Sequence, residues 1–144
     1  MTVYKNILVA ADGSRESKTA LNKAVDMALD HQAALIIVHI IDTRTFATIE
    51  QYDRTVVSRA EEYGRELVEQ FRKEAEQAGV EKVSTVIDFG SPRVKIPKDI
   101  ARKHEVDLIM TGATGLNTVE RILIGSVSEG VARQAECDVL IVRS

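Results

Sequence analysis

Short, almost continuously apolar runs alternate along this chain with longer stretches whose apolar residues recur at helical spacing. The runs are Ile7–Leu8–Val9–Ala10, Leu35–Ile36–Ile37–Val38, Val83–Ser84–Thr85–Val86–Ile87, Leu108–Ile109–Met110 and Val139–Leu140–Ile141–Val142. Continuous hydrophobicity marks strands covered on both faces, the habit of parallel sheets. The third run carries Ser84 and Thr85, which suits a sheet edge.

Four helices are predicted between these strands. Ala20, Leu21, Ala24, Val25, Ala28 and Leu29 form one apolar stripe. Val56, Val57, Ala60, Leu67, Val68, Phe71, Ala75 and Ala78 form a longer one, stopped by Gly79 at the C′ position. Pro97 fits a first turn better than a helix interior, where it costs about 3 kcal/mol. The third helix is therefore expected from about Ile96 to His104. The fourth runs from about Ser126 through Val127 and Val131 to Ala135. The βαβαβαβαβ alternation calls for an α/β fold with right-handed crossovers and helices on both faces of the sheet. Residues 1–144 read as a single domain. The irregular stretch from about Asp42 to Gln51 is expected to be a mobile flap over a site.

Composition narrows the function classes. A net charge of -3 argues against nucleic acid or an anionic membrane as the main partner. Aromatics make up only 4% and Trp is absent, so base-stacking platforms are not expected. Cys137 has no internal disulfide partner and reads as a small apolar residue before the last strand. No stretch approaches a membrane span, and Met1–Lys5 lacks the pattern of a signal peptide. A cytoplasmic protein is expected.

The chemistry concentrates in Gly112–Ala113–Thr114–Gly115, nine residues, and then Gly125–Ser126. This pattern opens where the fourth strand stops at Thr111 and closes onto a helix start, Ser126–Val127–Ser128–Glu129. Glycine lets a ligand approach backbone N–H groups, and a free helix N-terminus supplies donors and positive dipole. An anion site, with phosphate as the first expectation, follows. In the strand order 3-2-1-4-5, the ligand crevice lies beyond the ends of strands one and four. The first strand ends at Ala10–Ala11–Asp12–Gly13, so two lines of reasoning meet at one place. Neither a Walker A loop nor a dinucleotide G-x-G-x-x-G occurs.

The G-x-x-G-(nine)-G-S pattern resembles the nucleotide-binding signature of the universal stress protein family. The resemblance extends to Tyr4–Ser14, to Val38–His39–Ile40–Ile41–Asp42 and to Ile124–Ser128, and so covers essentially the whole chain. It implies a Rossmann-like five-stranded domain, often dimeric, whose ATP-binding branch carries these glycines. By motif position, Gly112, Gly115, Gly125, Ser126, Val127 and Ser128 would hold the phosphates and ribose. Asp12 would approach the ribose or a metal, and the backbone near Ile40 would meet the adenine. Ala10, Ala11, Thr111, Ala113 and Thr114 complete the expected site. The chain departs from many relatives at Ala10–Ala11, where Pro-Thr or a similar pair is common. It departs again at Ala113–Thr114, where Ser-His or Ser-Arg is common, so this loop loses a His or Arg contact.

Plainer roles compete for several of these residues. Asp12 could equally cap the helix beginning near Ser14. Ser126 and Glu129 read as a capping box. Arg121 reads as a solvated loop charge. His31 and His104 suit helix C-termini. His39, near the crevice, lacks a nucleophile and an orienting partner, so it reads as structural. Glu61 and Arg65 form an i,i+4 pair on a solvated face. The expectation is an ATP-binding regulator or sensor, with Mg²⁺ on the phosphates, dimeric through the last strand at 138–143. The rivals are a slow ATPase or a nucleotidyl transferase of the adenine-nucleotide α hydrolase type, and an interaction module without nucleotide. No lysine stands beside the glycines and no base is poised for water, which favours binding over chemistry.

Overall fold

The computed structural model describes residues 3–43, 54–114 and 124–143. The strands β1 (Asn6–Ala10), β2 (Ala34–Asp42), β3 (Val83–Gly90), β4 (Leu108–Gly112) and β5 (Asp138–Val142) form one parallel sheet in the order β3-β2-β1-β4-β5. This is the expected doubly wound, Rossmann-like order, and β3 lies at an edge as Ser84 and Thr85 suggested.

The apolar runs bury as their composition dictates. Ile7 and Val9 of β1 face a core shared with Leu35, Ile37, Met110 and the inner faces of α1 (Arg15–His31) and α2 (Arg54–Gln77). Leu8 faces the opposite core with Ile36, Val38, Ile109 and Val131. Adjacent residues thus feed two separate cores, the pleat's alternation applied to a strand apolar on both faces.

The ends of α1 are sealed by polar and backbone groups. Ser14 Oγ accepts from the Ser17 N–H at 3.1 Å. At the other end Gln32 takes the left-handed conformation at φ 53, and the Ala33 N–H returns to the Ala28 carbonyl at 2.9 Å. For α2, Gly79 at φ 109 fills the C′ position as predicted. The buried face of α2 is narrower than its apolar stripe: Gly64, Val68, Phe71 and Ala75 are buried, whereas Val56, Val57, Ala60 and Leu67 are half-covered and Ala78 is exposed. A helix of 24 residues rises about 36 Å, longer than the strands beneath it, so its ends overhang.

The third helical region departs from expectation. It begins at α3 (Pro92–Lys95), continues through a π-helical turn (Ile96–Ile100) and ends in α4 (Ala101–Lys103). Pro92, not Pro97, occupies the first turn, and Pro97 is buried mid-segment. Proline at 97 removes the N–H that would bond the Arg93 carbonyl. Two features absorb the loss: the π turn, closed by Ala101 N–H to Ile96 O, and Gln134, whose Nε2 donates to the Arg93 carbonyl at 3.0 Å. Gln134 ends α5 (Ser126–Gln134), which packs on α3. No helix among the described residues is long and apolar enough to cross a membrane.

Ile37 is fully buried in the central layer. Replacing it with alanine is expected to lower unfolding free energy by about 2–5 kcal/mol. An unchanged urea midpoint for Ile37→Ala would contradict this packing.

Candidate functional site

Beyond the carboxyl ends of β1 and β4 the chain folds into a set of mutually fixed loops. After β1, the Ala11 N–H donates to the Val38 carbonyl at 2.8 Å, and the Ala11 carbonyl accepts from His39 Nδ1 at 2.7 Å. A carbonyl can only accept, so the His39 proton sits on Nδ1. This structural role for His39 matches the sequence reading, and its partner is backbone. Asp12 neither caps α1 directly nor stands free: its Oδ1 accepts from both the N–H and the hydroxyl of Ser14, which is itself the N-cap. Asp12 Oδ2 has no partner among the described residues.

Across the crevice, β4 ends at Gly112, whose missing side chain is a packing requirement. A Cβ there would stand 2.6 Å from Glu16 Cβ and 2.8 Å from the Glu16 carbonyl carbon. The first turn of α1 can therefore touch the end of β4 only if residue 112 is glycine. Ala113 is buried and clasps two elements, donating to the Val142 carbonyl and accepting from the Gly125 N–H at 2.7 Å. That last bond brings the two halves of the glycine pattern together across their spacer. Thr114 is half-buried; Gly115 and Arg121 lie outside the described residues, as do residues 44–51 of the expected flap.

The start of α5 differs from the predicted capping box. Gly125 is the N-cap, at φ -64 and ψ 160, and no side chain caps the helix. Ser126 is already helical, and Glu129 pairs with Arg133 at 3.1 Å. Ser128 turns inward: its hydroxyl donates to the Gly112 carbonyl and lies 2.7 Å from Thr111 Oγ1, with both residues almost fully buried. The amides of Ser126, Val127 and Ser128 precede the first intrahelical bond, Glu129 N–H to Gly125 O, and remain donors without a helical acceptor. Val127 is half-buried against the second core.

Ile40 is buried within β2, at 6% exposure. Its backbone is nonetheless well placed. The Val38 carbonyl points toward β1, where it meets Ala11. By the period of a strand the polar groups of Ile40 point the same way, and the β1 pairing has already ended at Ala10 opposite Val38.

Sequence reasoning missed two glycines beside the site. Gly13, at φ 84, lies under the Tyr63 hydroxyl, which would be 1.8 Å from a Cβ. Gly64 admits the His39 ring, whose Cδ2 would be 2.7 Å from a Cβ. A glycine inside a helical pattern was the available signal. A cleft between α2 and β3, lined in part by Arg65, Glu69, Lys73 and Ile87, lies apart from this group and carries mixed charge. Burial pushes the Cys137 thiol above its ordinary pKa, which favours the protonated form. Among the described residues no cluster of three His, Cys, Asp or Glu side chains forms a metal cage.

A doubly wound α/β domain with uncapped helix amides at its topological switch point belongs to the broad class of anion- and nucleotide-site folds. Comparison with known proteins gives the particular family. Residues 3–143 match the universal stress protein family, and the chain belongs to it. A putative universal stress protein of Staphylococcus haemolyticus is 49% identical over 144 residues, spanning all of this chain and 87% of that protein. A Staphylococcus aureus counterpart is 46% identical with the same coverage. Among solved structures, UspA from Lactobacillus plantarum superposes with a TM-score of 0.87 at 29% identity, covering 99% of this chain and 100% of that one. A universal stress protein in complex with cAMP superposes at 0.73 with 27% identity, covering 99% and 98%.

The two glycines should respond differently to the smallest substitution. Gly112→Ala should lower stability by about 1–3 kcal/mol, because the Glu16 backbone cannot yield. Gly125→Ala, at a φ open to any residue, should cost less than about 1 kcal/mol. Thermal melts of the two variants check the difference, and equal shifts would contradict it.

Proposed function

We propose that this chain binds an adenine nucleotide, ATP with Mg²⁺, across the ends of β1 and β4, and acts as a nucleotide-dependent regulator or sensor in the stress response. The observation that carries the reading is the uncapped start of α5. Three amides without a helical acceptor and the positive end of a helix dipole lie beside Gly112–Ala113, at the end of the sheet where doubly wound folds bind ligands. The related structure holding cAMP supports an adenine ligand for this fold. In this reading the amides of Ser126, Val127 and Ser128 take the phosphates, Asp12 meets the ribose or metal, and the outward-facing backbone of Ile40 meets the base. Thr114, and by its place in the sequence pattern Gly115, are proposed to contact the phosphates as well.

Mg²⁺ fits this donor set in one way. It usually keeps several waters and is held by substrate phosphates plus one or two carboxylates rather than by a protein cage. The unpartnered Oδ2 of Asp12 is such a carboxylate. Bound there, the ion would neutralise phosphate charge while the chain's own amides fix the phosphate positions.

Binding without efficient turnover is the reading for the chemistry. Asp12 is engaged with the α1 cap, His39 donates to a backbone carbonyl, and Ser128 and Thr111 bond to the end of β4. These four side chains thus each have a structural bond, and none stands as an evident base for water. Calorimetric titration with ATP tests the site. Gly125→Val should weaken binding about tenfold or more, roughly 1.4 kcal/mol, by placing a branched side chain before the α5 amides. Equal affinity in a folded variant would sink the assignment. Nucleotide recovered from the same titration should remain triphosphate.

We also propose a homodimer through β5. Among the described residues this strand pairs only with β4, so its outer N–H and C=O groups face away from the sheet. Val139, Leu140 and Ile141 are half-exposed, and the strand carries no Pro and no interior charge. Such an edge is an association hazard unless covered, and antiparallel pairing about a two-fold axis covers it in a closed contact. Light scattering should report about twice the 15.9 kDa chain mass. Ile141→Pro, at a position whose N–H points away from β4 by the strand period, should shift it toward monomer; a wild-type monomer at high micromolar concentration would refute the proposal.

A further inference from the structure

Gly130 lies inside α5, where glycine is disfavoured, and α3 explains its presence. A Cβ at Gly130 would stand 2.4 Å from Arg93 Cβ, 2.7 Å from Arg93 Nε and 3.2 Å from the Arg93 carbonyl. The absent side chain is a seat for Arg93, whose stem lies across α5. The seat is fixed from below, because Gln134 holds the Arg93 carbonyl that Pro97 leaves without a helical donor. Arg93 is half-buried, yet its guanidinium has no ion pair or hydrogen bond among the described residues. Two nearby cations are engaged: Lys95 with Asp88 and Asp99, and Arg133 with Glu129.

Position relates this arginine, without an ion pair among the described residues, to the α5 amides. Gly130 follows Ser126 by four residues, so the two share one helix face, separated by about 6 Å of rise. A nucleotide's terminal phosphates extend over several ångströms, and a guanidinium fork matches phosphate oxygens better than any other side chain. A half-buried guanidinium without an acid is also the group that gains most from an arriving anion.

We propose that Arg93 is a phosphate-recognition residue of the α5 site, directed at the terminal phosphates of an adenine di- or triphosphate, and that Gly130 is the position that admits it. The inference rests on the adenine-nucleotide reading and adds to it a means of telling a nucleoside polyphosphate from a nucleoside. Arg93 lies in α3, outside the glycine pattern that carries the family resemblance, so it compensates for the cation missing at Ala113–Thr114.

Calorimetric titrations of the wild-type chain, Arg93→Gln and Gly130→Ala with ATP and with adenosine test it. Arg93→Gln should weaken ATP about tenfold or more and leave adenosine and the melting temperature unchanged. Gly130→Ala, by displacing the arginine, should give the same selective loss. Wild-type ATP affinity in Arg93→Gln would overturn the inference while leaving the nucleotide reading intact. An equal loss for adenosine would also overturn it, by showing that Arg93 only supports the fold. A wild-type chain that binds neither ligand would overturn both.

Discussion

Everything at the carboxyl end of this sheet depends on how closely α1 approaches β4. Gly112 lets the Glu16 backbone come within a distance that any Cβ would forbid. That contact brings the Asp12–Ser14 turn, which precedes α1, beside the loop that follows β4. Ser128 and Thr111 then fasten α5 to the same carbonyl, Gly112 O, and Gly125 fastens to Ala113. One missing side chain therefore decides whether two helix N-termini can stand over adjacent strand ends.

The opposite layer shows the same economy of means. Pro97 deprives α3 of a backbone bond in a buried place, where an unmatched carbonyl would be costly. The π turn spreads the local mismatch, and Gln134 supplies the lost donor from α5. The helix whose N-terminus faces the candidate ligand is thus held at its far end by a repair to its neighbour. Rigidity there matters, because backbone donors are effective only when their direction is fixed before the ligand arrives.

Polar side chains around the switch point are bonded inward. Asp12 orients a cap, His39 donates to Ala11, and Ser128 and Thr111 bond to the end of β4. Among the described residues, main-chain groups at these strand ends are left without a secondary-structure partner: the α5 amides precede the first helical bond, and Ile40 lies beyond the last β1 pair. Membership of the universal stress protein family accords with a scaffold built this way.

The strand order followed from the family resemblance; the alternation of strands and helices, the edge character of β3, the Glu61–Arg65 pair and the place of the glycine segments after the fourth strand were legible in the residues. The pair is present at 3.8 Å. These depend on periodicity and chain connectivity, which a sequence states directly. Three matters were decided only in three dimensions. Ser126 looked like a cap, but Gly125 took that position once its N–H was bound by Ala113. Pro97 looked like a helix start, but a donor from another helix made an interior proline tolerable. Gly112 looked like a ligand's glycine, yet its first neighbour is Glu16, and Gly64 and Gly130 proved to be seats for His39 and Arg93. Glycine in a sequence records only that a side chain is unwelcome. Which neighbour excludes it is set by how helices from distant parts of the chain cross, and that exists only once they have packed.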